Sequence, residues 1–427
     1  MSLNSLLPGI RRLGELLGNI SGTNRDYYTI FGYPKALSYT HLESMYMREG
    51  IAGRIVEAEP RATWTNPPEL KAYNEEDVSR PKELPTEFTT AWNTLCTKFN
   101  LYEVITRADK LAGISPYAVL LLGFGDTDDL TQPLNTQSTP ELLYIQPYAA
   151  EHATIDKLVT DTTNPRYSLP EIYSLKQMDT SGALTGLMGK LNSGKSLKVH
   201  ASRIVHIAEN TMSNDLIGNP RLSRAFNLLT DIMKVTGGSS EMFWLTANRG
   251  LHIDVDKDMA LSQEDAENLT DEVEQYVDGL SRIIRTRGVK VDTLGGSSVD
   301  PRGTFGILVA QLSATSGIPQ RILVGSEAGQ LASAQDRANW ATRIEERREL
   351  FAEPIILNPL VTKFIEIGLL PDPNALIVYD WPDAFIQNPL ERAQTAAQRG
   401  RTVSALQKSY EEPVITIEES RRIIEEA

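Results

Sequence analysis

Apolar residues recur at steps of three and four along much of the chain, which is the period of a helix that buries one face. In the first half, this pattern predicts helices over 41–57, 87–101 and 102–112. Continuous or alternating apolar runs predict β-strands over 117–124 (YAVLLLGF), 142–146 and 198–208. We therefore expect a mostly β region with polar loops from about residue 115 to 209, and an irregular arm over residues 1–40.

The helical period returns at residue 219 and dominates the rest of the chain. Helices are predicted over 219–245, 262–287, 300–317, 389–410 and 417–426, and short strands over 253–255 and 289–294. A long helix is predicted from residue 335, interrupted near Pro354 and again at Pro359, because proline removes a helical hydrogen bond. Asp300-Pro301 is a helix-start signal and Gly317 a stop. Helices and strands in separate stretches, without a fixed-period repeat, predict an α+β fold.

Length and charge narrow the class of protein. A chain of 427 residues suggests about two or three structural units. Its formal charge of −14 argues against a protein that grips DNA by broad neutralisation of phosphates, because such proteins carry a basic stripe. The charge still allows a protein that forms a conduit for DNA, because tight binding would stop the DNA from sliding through it.

The residue types give little sign of catalytic or metal chemistry. Cys96 is the one cysteine and lies among apolar neighbours, so we expect a buried thiol and neither a disulfide nor a cysteine-based metal site. The five histidines show no ligand spacing. The first residues lack a signal-peptide pattern, and apolar runs stay shorter than the roughly 18 residues of a membrane span. We expect no cofactor, no membrane contact and an intracellular product.

One segment, 189–196 (GKLNSGKS), satisfies the G-x4-G-K-S pattern of a phosphate-binding loop. In such a loop Lys195 would reach the phosphates and Ser196 would hold magnesium. The chemistry requires a strand before the loop and a helix after it. Upstream, TSGALTGLM is not strand-like, and downstream LKVHASRIVHI alternates as a strand does. We therefore favour a glycine-rich hairpin loop, with a nucleotide-binding protein as the alternative.

Several segments, taken in order, are similar to one family. They are YMREGIAGRIVEAEPRATW (46–64), SRIVHI (202–207), GNPRLSRAFNLL (218–229), GILVAQLSATSGIPQRILVGSEAGQLASAQD (306–336), NPLERAQTAAQRGRTV (388–403) and EEPVITIEESRRII (411–424). Their order and spacing resemble the portal proteins of tailed bacteriophages, the subunits of the head–tail connector ring. The resemblance extends from about residue 41 to the end.

The resemblance implies an α+β portal fold with a mixed α/β wing, a two-helix stem, a small αβ clip and a long kinked wing helix. Carried over by position, it implies an N-terminal arm over 1–40, a wing with a β-rich insertion over 41–218, stem helices over 219–245 and 300–317, a clip over 246–299, a tunnel loop over 325–334, and a wing helix with a short C-terminal wing edge or crown over 335–427.

Functional residues are likewise implied by the resemblance. The tunnel loop would face DNA in the channel through Ser326, Glu327, Gly329, Gln330, Leu331 and Ser333. In the clip, contacts with neighbouring subunits would involve Glu267, Asp271, Glu274, Asp278 and Arg282. No residue would be catalytic, and no cofactor or metal would be bound.

The implied function is therefore geometric and not enzymatic. A closed ring, in the family a dodecamer, would mark one capsid vertex, support capsid assembly and conduct double-stranded DNA during packaging and ejection. Its implied partners are copies of itself, the DNA, the terminase, the major capsid or scaffold protein and the head–tail adaptor. It would reside in the virion after assembly in the host cytoplasm. A capsid or tail protein that forms rings without conducting DNA is a further alternative.

Overall fold

The computed structural model describes residues 26–74, 77–137, 139–176, 196–247, 251–255, 289–293, 300–325 and 330–384, with isolated positions between 264 and 273 and between 397 and 402. The chain divides into two compact units. The first comprises the described residues up to Ile55 together with Arg221–Val324, and the second comprises Val56–Pro220 and the described residues from Gly325 onward. Because each unit is built from separate stretches, the chain passes between them three times.

Helices and strands are numbered here in chain order over the described residues. The helices are α1 (Tyr27–Phe31), α2 (Tyr39–Arg48), α3 (Gly50–Trp64), α4 (Thr86–Phe99), α5 (Leu101–Ile114), α6 (Arg221–Ala247), α7 (Arg302–Ser316), α8 (Gln320–Val324), α9 (Gln330–Arg347) and α10 (Asn358–Glu366). The strands are β1 (Glu69–Asn74), β2 (Asp77–Glu83), β3 (Ala118–Phe124), β4 (Leu142–Ala149), β5 (Ala153–Leu158), β6 (Pro170–Lys176), β7 (Ser196–His200), β8 (Ile204–Ile207), β9 (Leu251–Val255), β10 (Val289–Thr293) and β11 (Leu376–Asp380).

The first unit is organised around the packing of α6 against α7 and α2. Helix α6 buries one stripe of apolar side chains, and α7 buries Val309 and Leu312. The predicted start and stop of α7 are confirmed: Asp300 Oδ1 accepts a hydrogen bond from the Arg302 backbone amide at 3.0 Å, and Gly317 closes the helix with φ 70°. The buried stripe of α6 consists of Leu222, Ala225, Phe226, Leu229 and Ile232.

The described residues of the second unit form three antiparallel sheets, with strand orders β4-β3-β8, β5-β6-β7 and β11-β1-β2. Every residue of β3 is buried, as its continuous apolar run predicts, because both faces of this central strand are covered. One face belongs to a core that includes Leu120 and Leu122, and the other to a core that includes Val119 and Leu121. The first of these cores also takes in buried residues of α4, α5 and α10.

The long helix of the second unit differs from its prediction. It begins at Gln330, five positions before the predicted residue 335. The predicted interruption near Pro354 is a π-helical segment, Arg348–Leu357, and α-helix resumes at Asn358 in α10, so Pro359 does not break the chain's helical course. Proline lacks an amide hydrogen and its ring displaces the carbonyl of the preceding turn, and the wider π turn accommodates both effects.

Other boundaries also differ. The helix predicted over 41–57 is two helices, α2 and α3, because Glu49 between them has extended backbone angles. The strand predicted over 198–208 is two strands, β7 and β8, joined by a 3-10 turn at Ala201–Arg203. Within the predicted irregular arm, α1 is helical. The strands that the apolar pattern missed are β1, β2, β5, β6 and β11. The helices predicted over 389–410 and 417–426 lie outside the described residues, apart from helical positions at 397–398 and 400–402.

Candidate channel loop, helix pair and junction loop

The predicted channel-facing residues fall at the start of α9. Ser326, Glu327 and Gly329 lie outside the described residues, and Gln330, Leu331 and Ser333 belong to the first turn of the helix. On the other side, α8 ends at Val324. The segment that connects these two helices is therefore residues 325–329, half the length of the loop predicted over 325–334.

The predicted subunit-contact residues are described only in part. Glu267 and Asp271 are helical and exposed, while Glu274, Asp278 and Arg282 lie outside the described residues. The neighbouring strands β9 and β10 pair antiparallel, with Val255 opposite Val289 and Leu251 opposite Thr293. The two short strands predicted around this acidic helix are thus confirmed, and the contact role of its carboxylates stays a prediction.

Charged side chains on α6 are held by their neighbours within the first unit. Lys234 Nζ donates to Asp231 Oδ1 at 3.1 Å and also contacts the carbonyl oxygen of Phe31. The hydroxyl of Tyr33 donates to Asp231 Oδ2, and the Lys234 ammonium lies 4.6 Å from the Tyr33 ring centroid. Burial, with this hydrogen bond to Asp231, raises the pKa of Tyr33 to about 12. The middle of α6 therefore carries a neutralised pair and not a free positive charge.

A strand begins where a phosphate-binding loop would need a helix. Ser196, the last residue of the G-x4-G-K-S motif, opens β7, which pairs with β6 in the register Lys176 opposite Ser196 and Ile172 opposite His200. A strand presents no cluster of free amides at its start, so the arrangement after the motif is not that of a nucleotide site. Residues 189–195 lie outside the described residues.

Residues 209–219, here called the junction loop, link β8 to the region just before α6. The loop is closed at its base, where the Asn219 amide donates to the Glu209 carbonyl at 3.1 Å and the Gly218 amide donates to the Pro116 carbonyl at 2.8 Å. A Cβ on Gly218 would lie 2.0 Å from the Glu209 carbonyl oxygen, so only glycine fits there. Inside the loop, Asn214 Oδ1 accepts from the Leu216 amide at 3.0 Å and from the Ile217 amide at 2.8 Å.

His206 fastens the loop to β8 from the side. Its Nε2 lies 2.9 Å from the Leu216 carbonyl oxygen, and its Nδ1 lies 2.9 Å from the Tyr173 hydroxyl. Because a carbonyl oxygen only accepts, Nε2 carries the proton and Nδ1 accepts from Tyr173. The ring also packs against Tyr117, with centroids 4.6 Å apart. Burial lowers the pKa of His206, so this neutral arrangement is the stable one.

We expect the His206 contribution to stability to disappear in mild acid. Its pKa is about 6.5 when unfolded and lower when folded, so the unfolded state binds more protons as the pH falls below 6.5. The free energy of unfolding should therefore decrease from that pH downward, by at most about 1.4 kcal/mol per pH unit. Denaturant unfolding of the protein and of His206→Gln between pH 7.5 and 5 should give curves that converge. Parallel curves would contradict this assignment.

The base of the junction loop is also held by a buried arginine. The Arg347 guanidinium donates to both carboxylate oxygens of Asp109 at 2.6 and 3.0 Å, to Thr63 Oγ1 at 3.0 Å and to Glu209 Oε1 at 3.2 Å. Glu59 Oε2 lies 3.8 Å from Arg347 Nε. One cation thus joins α3, α5, α9 and the first residue of the junction loop.

The surroundings of Arg347 keep it charged. Burial alone would lower its pKa, but the negative charges of Asp109, Glu209 and Glu59 together raise the pKa above its ordinary value. Its neighbour Arg343, which is 47% exposed, contacts Glu59 Oε1 at 3.3 Å. The indole of Trp64 donates to Asp109 Oδ2 at 2.8 Å, which gives this carboxylate a further donor. We call Arg347 with Glu59, Thr63, Asp109 and Glu209 the Arg347 cluster.

A second buried pair holds the turn between β7 and β8. Arg203 donates to the two carboxylate oxygens of Asp126 at 2.6 and 2.7 Å, and both side chains are fully buried. These hydrogen bonds lower the pKa of Asp126. Lys363 of α10 donates to the Ser202 carbonyl at 2.9 Å, and burial lowers its pKa to about 8. The turn that leads into β8 and the junction loop is therefore fixed from two sides.

These charged residues were missed by the sequence reading, although a signal for two of them exists. Asp109 lies one helical turn after Ile105, and Arg347 lies one turn after Ile344, so both occupy the apolar stripe of their helices. A charged residue on such a stripe indicates a buried ion pair. Which partner each finds is not encoded locally, because 238 positions separate the two residues.

The described residues contain neither a membrane-spanning helix nor a metal site. No helix among them combines the length and apolar character needed to cross a membrane. No group of three or more histidine, cysteine or carboxylate side chains in the described ranges could hold a metal ion. Cys96 is partly buried, and burial raises the pKa of its thiol to about 12.

Structures of gene transfer agent (GTA) particles contain chains with a similar fold. A chain in the native GTA virion has a TM-score of 0.57 at 14% identity, covering 97% of this chain and 98% of that chain. A chain in the neck of the empty particle, computed with C6 symmetry, has a TM-score of 0.56 at 15% identity, covering 96% and 97%. A chain in the native neck, computed with C12 symmetry, has a TM-score of 0.54 at 14% identity, covering 96% and 98%. At these identities the likeness shows the fold.

The sequence comparison identifies the family directly. No curated protein matches the sequence. The family model described as phage portal protein matches residues 40–405, which is most of the chain and includes α2 through α10, the junction loop and the predicted channel loop. The match begins where the resemblance noted in the sequence begins, near residue 41, and it ends at residue 405, before the last similar segment at 411–424. The chain therefore belongs to the phage portal protein family.

Proposed function

We propose that this chain is the subunit of a closed ring at one capsid vertex, whose channel passes double-stranded DNA during packaging and ejection. The observation that carries the proposal is the family match over residues 40–405. The similar fold of chains in GTA necks and virions supports it. In this proposal the ring is a dodecamer that docks the terminase and later the tail adaptor. The ring assembles with capsid or scaffold protein in the host cytoplasm and stays in the virion.

The charge of α6 suits a channel wall. The segment 219–245 contains Arg221, Arg224 and Lys234 against Asp231 and Glu241, and Lys234 is paired with Asp231. A basic channel wall would bind the DNA phosphates and release their counterions, and this binding would stop the DNA from sliding. A nearly balanced helix exerts little of this attraction. We therefore assign α6 and α7 as the stem of the proposed ring, and the second unit as its wing.

The channel loop is the part of the proposal that an experiment can isolate. Residues 325–329 connect α8 to α9, and Glu327 is the only charged residue among them. A short, weakly charged loop would make only transient contacts with DNA. We propose that this segment faces the channel, with Gln330, Leu331 and Ser333 at the base of α9, and that the acidic helix with Glu267 and Asp271 contacts neighbouring subunits.

Deleting residues 326–329 is expected to leave ring assembly intact and to impair DNA packaging or retention, because the deletion removes the proposed contact with DNA and shortens the connection between α8 and α9. Ring assembly is measured by light scattering and electron microscopy, and packaging by the nuclease-protected DNA in particles. A same-length replacement of 326–329 by glycine and serine is the matched control, since it keeps the span between α8 and α9, and it should package normally. If the deletion packages and retains DNA as well as the control does, the chain is a ring protein that does not conduct DNA.

A further inference from the structure

The N-terminal end of the described chain presents apolar side chains to solvent. Helix α1 has no buried residue, and its apolar side chains are about half exposed: Tyr27 56%, Tyr28 49%, Ile30 55% and Phe31 47%. Residues 26–33, here called the hook, therefore display three aromatic rings and one isoleucine side by side. Aromatic side chains are enriched in the buried centres of protein interfaces.

The hook is held in one conformation by contacts of its own. Asp26 caps α1 by accepting from the Thr29 backbone amide at 3.4 Å, and it also accepts from the Thr29 hydroxyl at 2.7 Å. Gly32 closes the helix with φ 70°. The Tyr27 and Phe31 rings stack with centroids 5.8 Å apart. A helix of five residues does not persist in water without such support. A rigid apolar surface loses little conformational entropy on binding, so its geometry is that of a preformed contact.

The hook is also fastened to α6, within the same unit. Tyr33 donates to Asp231, and Lys234 contacts both the Phe31 carbonyl oxygen and the Tyr33 ring. The Tyr33 ring also packs against Tyr28 and Phe31, with centroids 5.9 and 5.7 Å apart. The anchor therefore covers part of these rings, and the exposed half of each side chain is available to another molecule.

We propose that the hook packs against a neighbouring copy of this chain and forms part of the ring contact. This inference rests on the ring of the proposed function. In a closed ring each subunit presents two different, complementary surfaces to its two neighbours. Every subunit carries a hook, so a surface that is also present on every subunit can cover all of the hooks. The helix sequence YYTIF carries no charge, so it offers no positive charge to DNA phosphates.

The size of the hook fits a contribution to such a contact. An aromatic side chain covers about 150–250 Å², so four half-exposed side chains present roughly 400 Å². This is about half of the roughly 800 Å² that each partner buries in a typical stable interface. The helix pair of the same unit also carries exposed apolar side chains, which are Met233, Phe243, Trp244 and Ile307. We assign this set on the next copy as the surface that receives the hook.

The test is the triple variant Tyr27→Ser, Ile30→Ser and Phe31→Ser, which leaves Tyr33, Asp231 and Lys234 unchanged. We expect it to raise the protein concentration needed for half-maximal ring assembly by about tenfold or more, as read from mass photometry across a dilution series. The matched control replaces three exposed apolar residues of the second unit by serine, Leu158, Tyr167 and Leu376. The control should assemble as the unmodified protein does.

A second measurement does not depend on the folding of the variant. The photo-crosslinking residue benzoylphenylalanine is placed at position 31 of the full chain. We expect crosslinked dimers in which position 31 is joined to residues 233–244 or 302–316 of another copy. Mixed isotope labelling distinguishes these crosslinks from crosslinks within one copy. If the triple variant forms rings at the same protein concentration as the unmodified protein, or if crosslinks form only within one copy, the proposed hook contact is wrong. The proposed ring would stand in either case. An unmodified protein that never forms rings would refute the proposed function and the hook with it.

Discussion

Replacing Arg347 by methionine is expected to lower the free energy of unfolding by about 3–5 kcal/mol, the cost of removing one partner from a buried ion pair. Methionine fills a similar volume, so the loss comes from charge and not from a cavity. The variant removes the cation that lies within 3.8 Å of carboxylates on Glu59, Asp109 and Glu209. The measurement is denaturant unfolding followed by tryptophan fluorescence, since Trp64 donates to Asp109.

The matched control lies one helical turn away. Arg343 is on the same helix, is 47% exposed and contacts one of the same carboxylates, on Glu59. Arg343→Met should therefore cost less than about 1 kcal/mol, as exposed ion pairs do. Adding Asp109→Asn to the Arg347 variant should recover part of its loss, because it removes one of the buried negative charges. Equal effects of the two arginine variants would contradict a special role for Arg347.

The second large loss of stability is expected for Gly218→Ala. The new Cβ would lie 2.0 Å from the Glu209 carbonyl oxygen and 2.9 Å from the Glu209 nitrogen, and these are backbone atoms that cannot rotate away. The base of the junction loop must then open, at a cost of about 1–3 kcal/mol for overpacking. Besides lower stability in denaturant, we expect faster proteolytic cleavage within residues 210–217, because the bonds that close the loop are lost.

A glycine on α6 provides the opposite control. A Cβ on Gly237 would have no atom within 4 Å, and the residue lies in the interior of the helix. Gly237→Ala should therefore raise stability by about 0.5–1 kcal/mol, because alanine loses less backbone entropy in a helix. If both alanine variants changed stability in the same direction, the close approach of Gly218 to Glu209 would not be the controlling contact.

The Arg347 cluster gathers residues from three separate stretches of the second unit. Glu59 lies four residues after Ile55, Glu209 opens the junction loop that ends just before Arg221, and Arg347 lies on α9. One buried cation thus joins α3, α5, α9 and the junction loop within this unit.

Local pattern was sufficient to find the elements that depend on near neighbours in the chain. Helix α7 was located by Asp300 and Gly317, because caps act on the adjacent turn, and β3 by its apolar run, because both of its faces are buried. Helix α6 was found within two residues of either end by its apolar period. The portal family was likewise recognisable from the order of short segments, and the family match over residues 40–405 agrees with it.

Elements that depend on distant partners were decided only by the tertiary structure. Strand β1 (ELKAYN) has no apolar run of its own and is defined by its pairing with β11, where Leu70 lies opposite Tyr379. The run LIVY in β11 is a local strand signal that the sequence prediction overlooked. Arg347 and Asp109 each look like an anomaly on an apolar stripe until the fold places them 2.6 Å apart. The physical reason is that helical period and capping are set within about one turn, whereas strand pairing and burial of charge depend on which surfaces meet after the chain has folded.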